Sequence, residues 1–392
     1  MLITKKMELT VLSVTIFLLP LLSKYAVMAV IGMDIILFLL FRLSKRKNVA
    51  HNSKLKLRLE IFLLITAFSC VFAHNYIIAL KETVEALFAF LCFLCIEYFC
   101  IRDNASADRI ISAYLWSCVL ISILYFAGIY FSLPSFKWVS NIELMKTENQ
   151  MSFYIGGGCV FSIIRFIRGN RSIKSVLLFV LAFAVIILSE RRGALVSIVF
   201  GVGVSLIALS AVKKNFKIII AAGAILIILY FNIVGISNLA FVKYFDLQES
   251  FSNRERVGMW LGSLEMFMDY PLGVGKGNWS IVYFNEGYRR TVLDYIYPHP
   301  HNDYIQVMCE TGILGIIAYL SIYVYVIKQL YRNYKAQKAG IYVEILSWFM
   351  YCISFLMFNQ PLTNSKPFIL LYCMFGIASA YIQNPVVKEQ TS

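Results

Sequence analysis

The polar residues His299, His301, Asn302, Asp303 and Glu310 crowd into one stretch, "YPHPHNDYIQVMCETGILG" (Tyr297 to Gly315), which leads directly into an apolar run. Imidazole titrates nearest to neutral pH, so a histidine at the mouth of a helix suits a general base that takes a proton from a hydroxyl. Zinc binding would need a third and fourth ligand. Asp294, Asp303 and Glu310 are within reach along the chain, but no zincin spacing is present, and no metal site is expected. A satisfied structural histidine is the bland alternative. Pro298 and Pro300 predict an extended approach that points His299 and His301 to the same side.

Arginines supply the second kind of chemistry. Arg191 and Arg192 sit in a tight link, "LSERRGALV", between two apolar runs. Guanidinium groups at a membrane edge are costly, and their planar forks match phosphate oxygens. Pairing with Glu190 or with lipid headgroups is the alternative. Arg256 lies in "SNRERVGMWLGSLEMFMDYP", where Ser252 and Glu255 form a capping-box pattern and Pro271 with Gly273 marks the stop. A cation in the first helical turn opposes the helix dipole, so local stability does not account for it. It reads either as a phosphate ligand or as a solvated charge beside Glu255. Asp303 and Gln306 repeat the capping pattern ahead of the run to Ile327, and an open helix start there would favour an anion.

Other candidates carry less. "GVGKGNW" (Gly273 to Trp279) has neither the Walker pattern nor a preceding strand and reads as a turn. The cysteines lie in or beside apolar runs and read as small hydrophobes, Cys92 and Cys95 included. Asp34 and Glu97 fall within apolar segments, where each either lines a polar path or pairs with another helix. No Asp-x-Asp motif is present to hold a phosphorylated donor through a metal, so arginines would have to neutralise a departing diphosphate.

The elements that must position these residues are membrane helices. Of 392 residues, 60% are hydrophobic, well above the apolar share of a soluble domain. Mean hydropathy is +0.73. Apolar runs recur at 8–23, 26–41, 59–73, 84–101, 110–131, 151–167, 175–189, 193–212, 218–237, 304–327, 340–358 and 366–383. The expected fold is an all-α polytopic membrane protein with about twelve transmembrane helices. The net charge of +14 is concentrated in short segments such as "RLSKRKNVAHNSKLKLR" and "KQLYRNYKAQK" between apolar runs. That pattern follows the positive-inside rule and argues for membrane lipids, not nucleic acid. Placing those segments in the cytoplasm puts both termini there, and the first run reads as a retained helix, not a cleaved signal. It also puts 132–150, "SERRG", 238–303 and "NQPLTNSK" on the outer side. The chain divides into helices 1 to 9 (1–237), a partly helical periplasmic loop between helices 9 and 10 (238–303), and helices 10 to 12 with a cytoplasmic tail (304–392).

Taken in order, "SERRGALV", "RERVGMW" with "YPLGVGKGNW", and "HPHNDYIQVMCETGILG" resemble the signature of the O-antigen ligase and polymerase superfamily over essentially the whole chain. The resemblance implies a bacterial inner-membrane glycosyltransferase, multi-pass, with its active site facing the periplasm. Its donor would be a glycan on undecaprenyl diphosphate, with no cofactor. It implies catalytic roles for His301, Arg256 and Arg192. Arg192 is favoured over Arg191 because a small residue follows it immediately. Substrate-binding roles go to Arg191, Asn302, His299 and Glu310, the last heading Glu310, Gly312 and Gly315 of a Glu-x-Gly-x-x-Gly ending. The first reading is an O-antigen ligase transferring the glycan to the lipid A core oligosaccharide by metal-independent, inverting transfer. The alternative is an O-antigen polymerase joining lipid-linked repeat units. A lipid or glycan transporter would predict repeated halves and helices broken at the membrane midplane, and the sequence has no internal repeat.

Overall fold

A computed structural model describes residues 2–23, 53–102, 104–146, 148–169, 173–189, 191–208, 251–291, 298–360 and 365–384, with the isolated positions 26, 29 and 32. Helices are the regular elements among these residues, with no strand among them. The long helices are α1 (Leu2–Leu18), α2 (Lys54–Ser69), α3 (Tyr76–Arg102), α4 (Asn104–Leu124), α5 (Glu148–Ile167), α6 (Ile173–Leu188) and α7 (Arg192–Ala208). They continue with α8 (Phe251–Asp269), the short α9 (Trp279–Asn285), α10 (Asp303–Gln337), α11 (Gly340–Phe358) and α12 (Ser365–Gln383). Every apolar run predicted above coincides with a helix except 26–41 and 218–237, which lie wholly or largely outside the described residues.

Among the described residues, six stretches are long and apolar enough to cross a bilayer: Tyr76–Ile101, Ala105–Tyr130, Asn149–Ile167, Asp303–Gln337, Gly340–Phe358 and Ser365–Gln383. Leu9–Leu18, Ser175–Leu188 and Gly193–Ile207 are apolar but shorter. Large apolar side chains stand exposed around the bundle, among them Leu64, Leu80, Val180, Val199, Ile207, Ile317 and Val324. A perimeter of that kind is stable against lipid, and the protein is a multi-pass membrane protein.

Small residues set the helix spacing. A Cβ on Gly201 of α7 would lie 2.9 Å from the Ser347 carbonyl of α11, and one on Gly376 of α12 would lie 2.8 Å from Ile96 of α3. Close backbone approach at such positions is the usual basis of helix pairing in lipid. Arg165 and Arg168, at the end of α5, grip the buried Glu344 carboxylate of α11 at 2.8 and 3.0 Å. The start of α11 is therefore fixed at the basic end of the bundle, and its last turn at the opposite end.

The described part of the 238–303 segment is a cap on the end of the bundle. Helices α8 and α9 meet through Met259, Met266, Trp279, Val282 and Tyr283, with Val274 and Cys309 closing the cluster. The Trp279 indole donates to Ser263 Oγ at 2.8 Å. Residue 251 is already helical, and the side chain of Ser252, the expected cap, lies outside the described residues. The stop at Pro271 and Gly273 is as the sequence predicts.

Helix α10 is broken at Gly312 (φ 69°, ψ −169°). This is backbone that only glycine adopts readily. The "PLGVGKG" turn passes through the break: Val274 N–H donates to the Cys309 carbonyl, Gly275 N–H to that of Glu310, and Ile313 N–H to that of Pro271, each at 3.0 Å. The backbone groups freed by the break are thus satisfied by the loop. A Cβ on Gly312 would lie 2.5 Å from Leu272 backbone carbon, whereas one on Gly203 meets nothing within 4 Å. Gly312→Ala is expected to cost about 1–3 kcal/mol of stability, read as a lowered thermal unfolding midpoint in detergent, while Gly203→Ala leaves the midpoint unchanged or slightly raised.

Candidate active site at the end of helix α11

Each signature stretch ends on the same four residues, Met357 to Gln360. The Arg256 guanidinium donates from Nη1 to the Phe358 carbonyl at 3.2 Å. His301 N–H donates to Gln360 Oε1 at 3.2 Å, and Asn302 Nδ2 to the Met357 carbonyl at 3.0 Å. Gly193, next to Arg192, packs so closely that a Cβ would sit 2.5 Å from Asn359 Nδ2. Four consecutive residues span at most about 11 Å between their end Cα atoms. The start of α7, the first turns of α8 and the histidine stretch before α10 therefore share one small region on one side of the bundle.

Local geometry differs from the extended approach expected of the two prolines. His301 adopts left-handed backbone, φ +54°. Its ring meets that of His299 edge to face, with centroids 5.2 Å apart. The loop is tethered on either side of His301. Trp260 Nε1 donates to the Pro300 carbonyl at 2.9 Å. Asn302, not Asp303, is the cap of α10, its Oδ1 accepting from the N–H groups of Tyr304 and Ile305 at 3.0 and 3.1 Å. Asparagine caps as well as aspartate does, and the register shifts by one because Asn302 is also held by Met357. Help for an anion from the start of α10 does not survive this: Asn302 takes up those N–H groups, and Asp303 adds an acid to the first turn.

The remaining predicted residues fall as follows. Arg191 is partly buried, which depresses its pKa, with the Tyr125 phenol acting the other way; a guanidinium stays charged regardless. Arg192 is the first residue of α7, and its side chain lies outside the described residues. Glu310 stands apart. It is fully buried, with Lys276 Nζ at 2.8 Å from Oε2 and Gln306 Nε2 at 2.7 Å from Oε1. Burial works against the Lys276 ammonium, but Glu310, Glu82 and Asp303 outweigh it and hold its pKa above the ordinary lysine value. Gln306 thus turns toward Glu310 and away from the cap position the sequence suggested. Sequence reasoning gave no role to Asn359, Gln360, Trp260 or Lys276. The Asn-Gln pair before Pro361, at the end of an apolar run, was the available signal.

Chemically, the region offers a neutral imidazole beside a cation. Burial, then His299 and Arg256, push the His301 pKa down to about 3, and burial pushes His299 down to about 4. Both rings are uncharged at neutral pH and able to accept a proton. No group of three or more His, Cys, Asp or Glu among the described residues has metal-site geometry.

Two predictions follow from these contacts. Removing the Lys276 partner leaves Glu310 buried and uncompensated, so Lys276→Met should cost on the order of 3 kcal/mol; the double variant Lys276→Met/Glu310→Leu should recover most of it in thermal unfolding. The histidines give a pH signature. A histidine depressed in the fold takes up its proton on unfolding, so its contribution is full above its ordinary pKa of about 6.5 and is lost as pH falls toward the folded values. The unfolding midpoint should drop between about pH 6.5 and pH 4, less steeply in His299→Gln/His301→Gln; equal slopes would contradict the assignment.

No curated protein matches the chain. Residues 177–320, which contain Arg191, Arg192, Arg256, His299, His301, Asn302 and Glu310, match the family model described as O-Antigen ligase. That stretch, from within α6 to the first half of α10, is similar to the O-antigen ligase family.

Proposed function

We propose that the protein is an O-antigen ligase of the bacterial inner membrane, working at the periplasmic face. It would transfer a glycan from undecaprenyl diphosphate to the lipid A core oligosaccharide. The observation that carries this reading is the meeting of Arg256, the Arg192–Gly193 helix start and the His301 backbone on Met357–Gln360. A lipid-linked diphosphate is a good leaving group that needs its charge neutralised, and arginine forks and a helix start supply that.

In this mechanism the acceptor hydroxyl loses its proton to the His301 imidazole as its oxygen attacks the anomeric carbon. The bond from that carbon to the diphosphate oxygen breaks, the configuration inverts, and undecaprenyl diphosphate departs against Arg256 and Arg192. Without substrate, His301 is a weak base because of burial and Arg256. The arriving diphosphate would offset the Arg256 charge, raise the imidazole pKa and strengthen the base only when donor is present. Direct transfer of this kind requires no metal.

Purified protein in detergent, supplied with a glycan on undecaprenyl diphosphate and lipid A core acceptor, provides the test. Arg256→Ala and His301→Ala should each lower kcat by about 10²–10³ with folding intact, and a chelator should leave the rate unchanged. Unchanged turnover in folded Arg256→Ala rejects its proposed role. Product identity separates the two branches of the superfamily: glycan joined to the core supports a ligase, while lengthened glycan on the lipid carrier supports a polymerase.

A further inference from the structure

The His301 imidazole is carried on backbone that non-glycine residues adopt infrequently, although histidine tolerates it better than most. Such a conformation persists where its surroundings over-determine it. Three consecutive residues are each tied to a distant part of the chain. Pro300 is held by α8 through Trp260, Asn302 by the last turn of α11 through Met357, and His301 itself by the Gln360 side chain. Gln360 is almost wholly buried, 4% exposed. The proline that follows it in sequence restricts it to extended backbone. Its neighbour Asn359 is extended as well, φ −144° and ψ 175°. The carboxamide therefore projects from a segment that has left the helix.

Two residues before Gln360, the Phe358 carbonyl accepts from Arg256. The same short segment thus touches the residue proposed as base and the residue proposed to hold the leaving diphosphate. We infer that Gln360, which lies outside the matched domain, is a positioning residue: its side-chain oxygen fixes the left-handed backbone of His301 and so sets where the imidazole stands relative to Arg256. The inference rests on the transfer mechanism given above. Gln360 touches neither reacting atom and acts through His301.

Among the described residues, Arg256 from α8, His299 from its own loop and Gln360 from the end of α11 act on His301, and Asp303 lies two positions along the chain. Arg256 and His299 both disfavour the imidazolium. A carboxylate at position 360 would favour it while still offering an oxygen to the His301 N–H. The experiment compares Gln360→Ala, Gln360→Glu and His301→Ala in the purified transfer assay, with kcat and donor KM measured across pH.

Gln360→Ala should lower kcat about 10- to 100-fold with little change in donor KM, the scale of a misplaced catalytic group. Gln360→Glu should retain more of the rate and move the acid limb of the kcat profile to higher pH by about one unit. A packing role alone would not move that limb. Wild-type kcat in Gln360→Ala beside an inactive His301→Ala overturns the inference and leaves the transfer mechanism standing. An active His301→Ala overturns the mechanism itself. Where Gln360→Ala does not fold, Gln360→Glu decides: an unshifted acid limb, or a folded protein inactive at every pH, overturns the assignment. Failure of both variants to fold makes Gln360 a purely structural residue and overturns it equally.

Discussion

The last turn of α11 and the two residues after it are the point on which the geometry of the candidate site depends. Helix α11 is pinned at its far end by the Arg165–Glu344–Arg168 cluster and along its length by close packing against α7. Its last turn therefore has little freedom to slide. Carbonyl groups at a helix end have no partner within the helix and must find one elsewhere. Here the Met357 and Phe358 carbonyls find theirs in Asn302 and Arg256, residues from two other signature stretches. An obligation of the backbone thereby becomes the device that gathers the site.

The break in α10 serves the same end from the other direction. With Gly312 leaving helical backbone, the segment from Asp303 to Thr311 turns against the cap while the rest continues across the bundle. The loop threading the break carries Lys276, whose ammonium neutralises Glu310 at full burial. Asn278 extends the arrangement to the start of α3: its Oδ1 accepts the Asn75 N–H at 2.6 Å. The Glu-x-Gly-x-x-Gly ending is thus a joint between cap and bundle, and it holds the histidine stretch at the correct end of α10.

Much of this was legible in the sequence where the signal is local. Composition and apolar runs gave the membrane helices, since 15 to 25 apolar residues have few other stable fates. The tight link before Arg192 and the stop at Pro271 and Gly273 follow from short-range chemistry. What stayed hidden depends on partners far along the chain. Gln360 meets His301 across 59 positions, and Arg256 meets Phe358 across 102; neither leaves a periodic trace. The same holds for the cap of α10, where Asn302 displaced Asp303 because of its second bond to Met357. Glycine at 312 was visible as a motif, but the reason for it was the loop that crosses there.

The central claim is that the base and the arginines surround one diphosphate at the outer end of α11. The most direct measurement is a density map of the protein in lipid nanodiscs with a non-hydrolysable undecaprenyl diphosphate glycan. The account predicts diphosphate density against the Arg256 guanidinium and the start of α7, with the anomeric carbon turned toward His301. Density for the diphosphate at the basic end of the bundle near Arg165 and Arg168, or on the cap beside Arg289 and Arg290 with His301 vacant, would contradict it.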